Sequence, residues 1–229
     1  MTREPILHNH SRYNFSPVAQ KYDRWYASPD GIAHDLTQKA DVSHFLEPAK
    51  EEERLLDVGC GTGHWSRFFG SLGYRVIGVD VSLDMIQVAR SKTPGNIRFQ
   101  AADACALPFK DDYFEITAAM ATIEFISEPL RALEEMLRCV KTGGRVLIGS
   151  LNALAPLNQQ RIAEGDEPYA SSRLYAPDEL HGLLSPFGLV RMVASNLGQN
   201  ASEVNHAERD DALTQSKTDG PFIIAEVRT

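Results

Sequence analysis

"LLDVGCGTGHW", residues 55–65, sets three glycines within five positions directly behind an apolar run, with an aspartate ahead of them and an aromatic behind. Glycine loses the most conformational freedom on folding. A cluster of glycines therefore marks a special turn or a backbone that must approach something closely. The run before the glycines reads as a buried strand and the segment after them as a helix. A tight turn between strand and helix brings main chain close to a ligand and offers it unpaired N–H groups.

Outward from this loop, short apolar runs alternate with helical patterns. "RLLDVG" (54–59), "RVIGVD" (75–80), "IRFQAAD" (97–103), "FEITAAM" (114–120) and "RVLIGSL" (145–151) read as strands. Their dense Val, Ile and Leu suit strands buried on both faces. "HWSRFFGSL" reads as a helix stopped by Gly73, and "SLDMIQVARSK" as one with Ser82 at its N-cap and Asp84 in its first turn. "EPLRALEEMLRCVK" carries Pro129 near its start, an apolar face at Leu130, Leu133, Met136 and Leu137, and "TGG" as its stop. Strands and helices in one such series imply an α/β fold with a doubly wound parallel sheet and helices on both faces. Ligands on such sheets bind at the carboxyl ends of the strands. Gly59, Asp80, Asp103 and Met120 all fall at such ends and are expected to converge on one pocket.

Three stretches stand outside the series. Residues 1–50 hold Tyr13, Phe15, Tyr22, Trp25 and Tyr26, then the helical "GIAHDLTQKADVSHFL". Residues 152–177 are long for a simple connection, and residues 199–220 are polar and charged. The first two are expected to cap the pocket, the second as an acceptor-site insertion, within a single domain spanning 1–229.

Composition bounds the function. The 229 residues carry a net charge of −8 and no basic run, which disfavours a nucleic-acid binder. No stretch approaches the roughly 18 apolar residues of a membrane span, and the N-terminus lacks a signal-peptide core. Cys60, Cys105 and Cys139 lie far apart, forming neither a metal-ligand pair nor a disulfide framework, so a cytoplasmic protein is expected. No metal site is expected: none of the seven histidines forms H-E-x-x-H, and His8 and His10 read as solvated side chains of a mobile terminus. His64 reads as a helix-start residue, and Trp65, Phe68 and Phe69 as core.

Asp80 ends the strand after the loop, about 20 residues beyond the first glycine, where an acid commonly binds ribose hydroxyls. The blander reading is that it caps the helix beginning near Ser82. A glycine loop plus such an acid fits a dinucleotide or S-adenosylmethionine. The spacing is Gly59-x-Gly61-x-Gly63, with His64 where the dinucleotide fingerprint has its third glycine. Asp57 ahead of the loop suits a ligand bearing an ammonium and a sulfonium better than a pyrophosphate.

The chain here resembles the class I S-adenosylmethionine-dependent methyltransferases, most closely their type 11 or menaquinone-biosynthesis-like branch. "LLDVGCGTG", "VIGVDVSLDMIQVAR", "AADACALPFKDDYFEI" and "ALEEMLRCVKTGGRVLIG" carry the resemblance, which covers roughly residues 17–190. It implies a Rossmann-like seven-stranded sheet with an antiparallel final pair, under an N-terminal helical lid. It also implies that Gly59, Cys60, Gly61 and Gly63 flank the methionine and ribose of the cofactor, with Asp57 near its amino group and Asp80 on the ribose hydroxyls. Val81 and Met85 would then pack on adenine, Asp103 and Ala104 would bond it, and Met120 would lie beside the sulfur. Tyr22 and Trp25, in "KYDRWY", would lie over the cofactor.

Many relatives carry a His after the fourth strand; here the stretch reads "TIEFISEP", leaving Glu124 as the candidate catalytic base. Ile123, Phe125, Tyr169 and Tyr175 are candidates for a pocket that holds a small-molecule methyl acceptor, with surface packing the alternative for the two tyrosines. Two other functions remain open from sequence: a non-catalytic protein that senses the cofactor or S-adenosylhomocysteine, and an NAD(P)-dependent dehydrogenase.

Overall fold

Residues 10–93, 95, 97–195 and 219–228 are described by the computed structural model. β1 (Arg54–Val58), β2 (Arg75–Asp80), β3 (Arg98–Ala101), β4 (Phe114–Met120), β5 (Val140–Leu151), β6 (Leu189–Ser195) and β7 (Phe222–Arg228) form one sheet in the order β3-β2-β1-β4-β5-β7-β6. The pairs from β3 through β5 are parallel, and β7 runs antiparallel between β5 and β6. The chain winds outward from β1 in one direction through β2 and β3, then returns to β4 on the other side. That reversal opens a crevice at the carboxyl ends of β1 and β4.

Alternation along the strands loads both faces. Leu55 and Leu56 are neighbours in sequence but enter different cores. Leu55, Val76, Ile116 and Leu147 pack with Trp65 and Phe69 of α2 (His64–Ser71) and Val42 of α1 (Pro29–Ser43). Leu56, Val79, Val146 and Ile148 pack with Leu133 and Met136 of α4 (Pro129–Cys139) and with Leu180 and Leu184 of α6 (Pro177–Leu184). α3 (Leu83–Lys92) is capped by Ser82, whose Oγ accepts the Met85 N–H at 3.3 Å.

Two expectations need correction. "TGG" does not stop α4: the helix ends at Cys139, and Thr142, Gly143 and Gly144 lie inside β5. The pairing jumps there from Phe114↔Val140 to Ile116↔Arg145, and Gly143 takes a φ of 76°. The glycines absorb an irregular bulge in the strand. Leu130 is 52% exposed, because it sits in the first turn of α4, off the face that carries Leu133 and Met136.

Between β5 and β6 the stretch at 152–177 forms α5 (Pro156–Ala163) and a short 3-10 turn at Tyr169–Ser171. The polar stretch expected at 199–220 lies outside the described residues up to 218, as does His8.

Candidate functional site

The loop between β1 and α2 follows the left-handed path that its glycines permit, with φ of 70° at Gly59, 52° at Gly61 and 81° at Gly63. A Cβ on Gly59 would lie 2.2 Å from the Thr122 methyl, so a side chain there would collide with the β4 end. Asp80 closes the loop from the neighbouring strand. Its two carboxylate oxygens accept the Gly61 N–H at 2.9 Å and the Ser82 N–H at 2.8 Å, and burial raises its pKa.

These elements wall one cavity at the carboxyl ends of the strands. Of the residues singled out in the sequence, Tyr22, Gly59, Gly61, Asp80, Val81, Met85, Asp103 and Ala104 line it together. His10, Ser11, Phe15, Thr122 and Phe125 complete much of the wall. Asp57, Cys60, Gly63, Met120 and Trp25 are not among the lining residues. Asp57 is 1% exposed and accepts the Ser66 hydroxyl at 2.5 Å, fastening β1 to α2. Burial pushes its pKa up to about 7, against the pull of that hydrogen bond. Cys60 and Met120 are buried beneath the loop and the β4 end. Gly63 caps α2, and Trp25 packs against Tyr26 and His34.

His10 corrects a further expectation. It is not a solvated side chain: its Nδ1 lies 2.5 Å from Asp103 Oδ2, and its Nε2 lies 3.3 Å from Glu128 Oε1. Ser127 N–H donates to the His10 carbonyl and Arg12 N–H to that of Phe125, which docks this segment beside the β4 exit. No local periodicity announces a contact across 93 positions, and the sequence carried no other signal for it. His10, Asp103 and Cys105 bring one donor atom each within 4.8 Å of one another. Burial, with the nearby Asp103 charge, pushes the Cys105 thiol up to about 12, which disfavours the thiolate a metal ion needs.

Further contacts tie the N-terminal segment to the loops. Ser16 Oγ lies 3.0 Å from Ser82 Oγ, and Thr62 Oγ1 donates to Asp23 at 2.5 Å. His64 does begin α2, and it also pairs with Asp35 at 2.6 Å and stacks on Tyr26 at 3.8 Å.

Glu124 sits past β4 in the short helical turn Ile123–Phe125 and is fully buried. Its Oε1 accepts the Leu151 N–H at 3.1 Å, while Oε2 has no partner. Burial pushes its pKa up to about 7, opposed by backbone hydrogen bonds. The hydroxyls of Tyr22, Tyr169 and Tyr175 all feel its charge, and burial is the main cause of their own raised pKa values. Tyr22 also feels Asp80. Tyr175 is 2% exposed and its hydroxyl has no partner, whereas Tyr169 is half-buried. Ile123 and Phe125 are both buried, and Phe125 packs edge-on against Phe15 at 5.1 Å. Glu124 is not among the residues that line the cavity, but its neighbour Phe125 is.

A family profile described as "Methyltransferase domain" matches residues 56–148. The chain is 34% identical over 213 residues to a ubiquinone/menaquinone biosynthesis C-methyltransferase UbiE of Stutzerimonas stutzeri (strain A1501), covering 80% of this chain and 82% of that one. It is 38% identical over 229 residues to a demethylmenaquinone methyltransferase of Paenarthrobacter aurescens (strain TC1), covering 88% and 87%. A solved SAM-dependent methyltransferase of Thermotoga maritima, described as a possible histamine N-methyltransferase, superposes with a TM-score of 0.69 at 24% identity, covering 93% of this chain and 97% of that one. This last likeness is one of fold.

Proposed function

Since this chain belongs to the class I S-adenosylmethionine-dependent methyltransferases, an enzyme family that releases S-adenosylhomocysteine, we propose that its acceptor is a small hydroxylated aromatic ring, quinone-like in shape, held beside Glu124. The observation that carries this reading is the partnerless Oε2 of the fully buried Glu124, in the turn whose Phe125 lines the cavity. Buried polar atoms without partners are rare, and one at a site calls for a ligand to supply its hydrogen bond. The relatives' names, with their quinone substrates, support the ring. The chain's net charge of −8 disfavours a nucleic acid as acceptor.

The cavity residues fit the donor. Asp80 would hold the ribose hydroxyls, for a carboxylate has about four acceptor sites and the two backbone N–H groups fill only part of them. Val81 and Met85 would face adenine, with Ala104 and Asp103 at its polar edge, where His10 shares Asp103 Oδ2. Gly59 and Gly61 would lie against the methionine and ribose part, while Asp57, Cys60, Gly63 and Met120 support the walls from behind. The bound donor supplies an electrophilic methyl group on its sulfonium. Tyr22 lines the cavity and would separate the acceptor from water. Glu124, with a pKa near 7, is partly ionised at neutral pH and would take the proton that the acceptor sheds.

Residues 10–50 would act as the cap of a single domain. His10, Ser16, Asp23 and Asp35 each contact a different residue in or beside the loops, which supports that role. No helix among the described residues is long and apolar enough to cross a membrane, and the three cysteines are free and buried. A reducing cytoplasm suits them.

Naphthalene-1,4-diol, kept reduced, is the direct probe of the acceptor. Incubated with the protein and S-adenosylmethionine, it is expected to gain one methyl mass while S-adenosylhomocysteine accumulates in equal amount. An unmodified diol alongside tight S-adenosylhomocysteine binding would contradict the ring-acceptor reading.

A further inference from the structure

Asp103, two residues beyond β3, lines the cavity and is 5% exposed. The terminal torsion of an aspartate is broad, so a single hydrogen bond leaves its carboxylate free to turn. Asp103 has a bond on each oxygen. Oδ1 accepts the Cys105 N–H at 2.9 Å, and Oδ2 lies 2.5 Å from His10 Nδ1. A carboxylate only accepts, so Nδ1 is the donor of that pair. Together the two bonds fix the carboxylate plane. A carboxylate has about four acceptor positions, so each oxygen keeps capacity for one more donor.

His10 is itself held in place. Its carbonyl accepts the Ser127 N–H at 2.8 Å, and Ser11 forms a β-bridge with Ile126. Arg12 donates its backbone N–H to the Phe125 carbonyl at 2.6 Å and its Nε–H to the Ile126 carbonyl at 3.2 Å. Across the imidazole from Asp103, Nε2 lies 3.3 Å from Glu128 Oε1. The ring is therefore set between two carboxylates, on a backbone that docks without its help. It lines the same cavity as Asp103.

We infer that His10 is a positioning residue for the methyl donor: by locking the Asp103 carboxylate, it makes the cavity select a base that carries an exocyclic amino group. The 6-amino N–H of adenine is the donor that such a fixed acceptor receives. A base without it leaves buried acceptor capacity unmatched, which is how a polar site rejects an analogue. Preorganisation of this kind depends on the groups that hold the binding side chain as much as on that side chain itself. The inference rests on the placement of adenine at Asp103 given above. It gives the N-terminal segment a part in choosing the donor as well as in covering it.

Calorimetry with two ligands tests it: S-adenosylhomocysteine, and its analogue with hydrogen in place of the 6-amino group. Wild type is expected to prefer the amino ligand by about tenfold or more. His10→Phe keeps the bulk of the ring without its N–H, and the backbone bonds of residues 10–12 remain to dock it. In that variant the preference is expected to fall to about twofold or less. His10→Asn sets an amide N–H near the place of Nδ1, and the preference should return to about fivefold or more. A merely structural His10 would weaken both ligands alike and leave their ratio at the wild-type value, which would overturn the inference. A preference lost equally from His10→Phe and His10→Asn would overturn it too. Equal, tight binding of both ligands to wild type would mean that the amino group does not meet Asp103, and the donor placement would fall with the inference. A wild-type preference that persists in His10→Phe would leave the placement standing and remove His10 alone.

Discussion

The two halves of the site differ in how completely their polar atoms are satisfied. At the glycine loop, the Asp80 oxygens take two backbone N–H groups, Asp57 takes the Ser66 hydroxyl, and Asp103 takes the Cys105 N–H and His10. Beyond β4 the pattern reverses. The buried side-chain atoms without partners among the described residues are Glu124 Oε2 in the turn after β4, Asn158 Oδ1 on α5 and Tyr175 Oη just before α6. The half that would hold the cofactor is built in advance by its own hydrogen bonds. The half that would hold the acceptor carries unmet capacity, and an unmet buried group costs about 1–3 kcal/mol.

The largest effect that tests this contrast is on stability. A glutamic acid whose pKa rises from 4.5 to about 7 on folding is neutral in both states at low pH. As pH climbs from about 4.5 to 7 the unfolded chain ionises it first, so stability falls, and above 7 the loss is constant. Glu124→Gln removes that loss and is expected to be more stable than wild type at pH 8 by up to about 3 kcal/mol, but not at pH 4. Asp57 titrates near 7 as well, yet it is common to both proteins and cancels in the difference. Denaturant melts at the two pH values check this. Equal curves at pH 8 would mean that the carboxyl is satisfied in solution.

On the opposite side, Asp80→Ala is expected to weaken S-adenosylhomocysteine binding by about 1.5–3 kcal/mol, the range for hydrogen bonds to a charged group. Titration calorimetry reads it directly. A wild-type dissociation constant would reduce Asp80 to a bracket between Gly61 and Ser82.

A smaller effect is expected at the cap. Thr62→Val removes the hydroxyl that donates to the partly exposed, Lys92-paired Asp23 carboxylate, a loss at the low end of that range, about 1.5 kcal/mol. Amide exchange over residues 13–26 should quicken in that variant and slow in wild type on adding S-adenosylhomocysteine. Exchange indifferent to both would show that the segment does not cover the cavity.

Much of the cofactor half was legible in the sequence because its signals are local. Apolar runs rich in Val, Ile and Leu marked β1, β2 and β4, and the three glycines fell at the turn whose positive φ values need them. Asp80, Val81, Met85 and Asp103 came together because parallel strands in register bring their carboxyl ends to one edge. Thr142–Gly144 misled because glycine reads the same whether it ends a helix or bulges a strand. His10 was not legible at all, for it meets Asp103 across a long loop closure that only a fold can show. Glu124 could be named from its position after β4, but its burial and empty oxygen could not.

The contrast between the halves is tested most directly by turnover against pH at saturating S-adenosylmethionine, for wild type and Glu124→Gln. Wild-type turnover should rise through an apparent pKa near 7, as the carboxyl becomes a base. In Glu124→Gln that inflection should vanish, with turnover down about 100-fold or more and S-adenosylhomocysteine affinity within twofold of wild type. An unchanged rate and pH profile in the variant would contradict the role of Glu124, and a collapse of cofactor affinity would place it on the wrong side of the site.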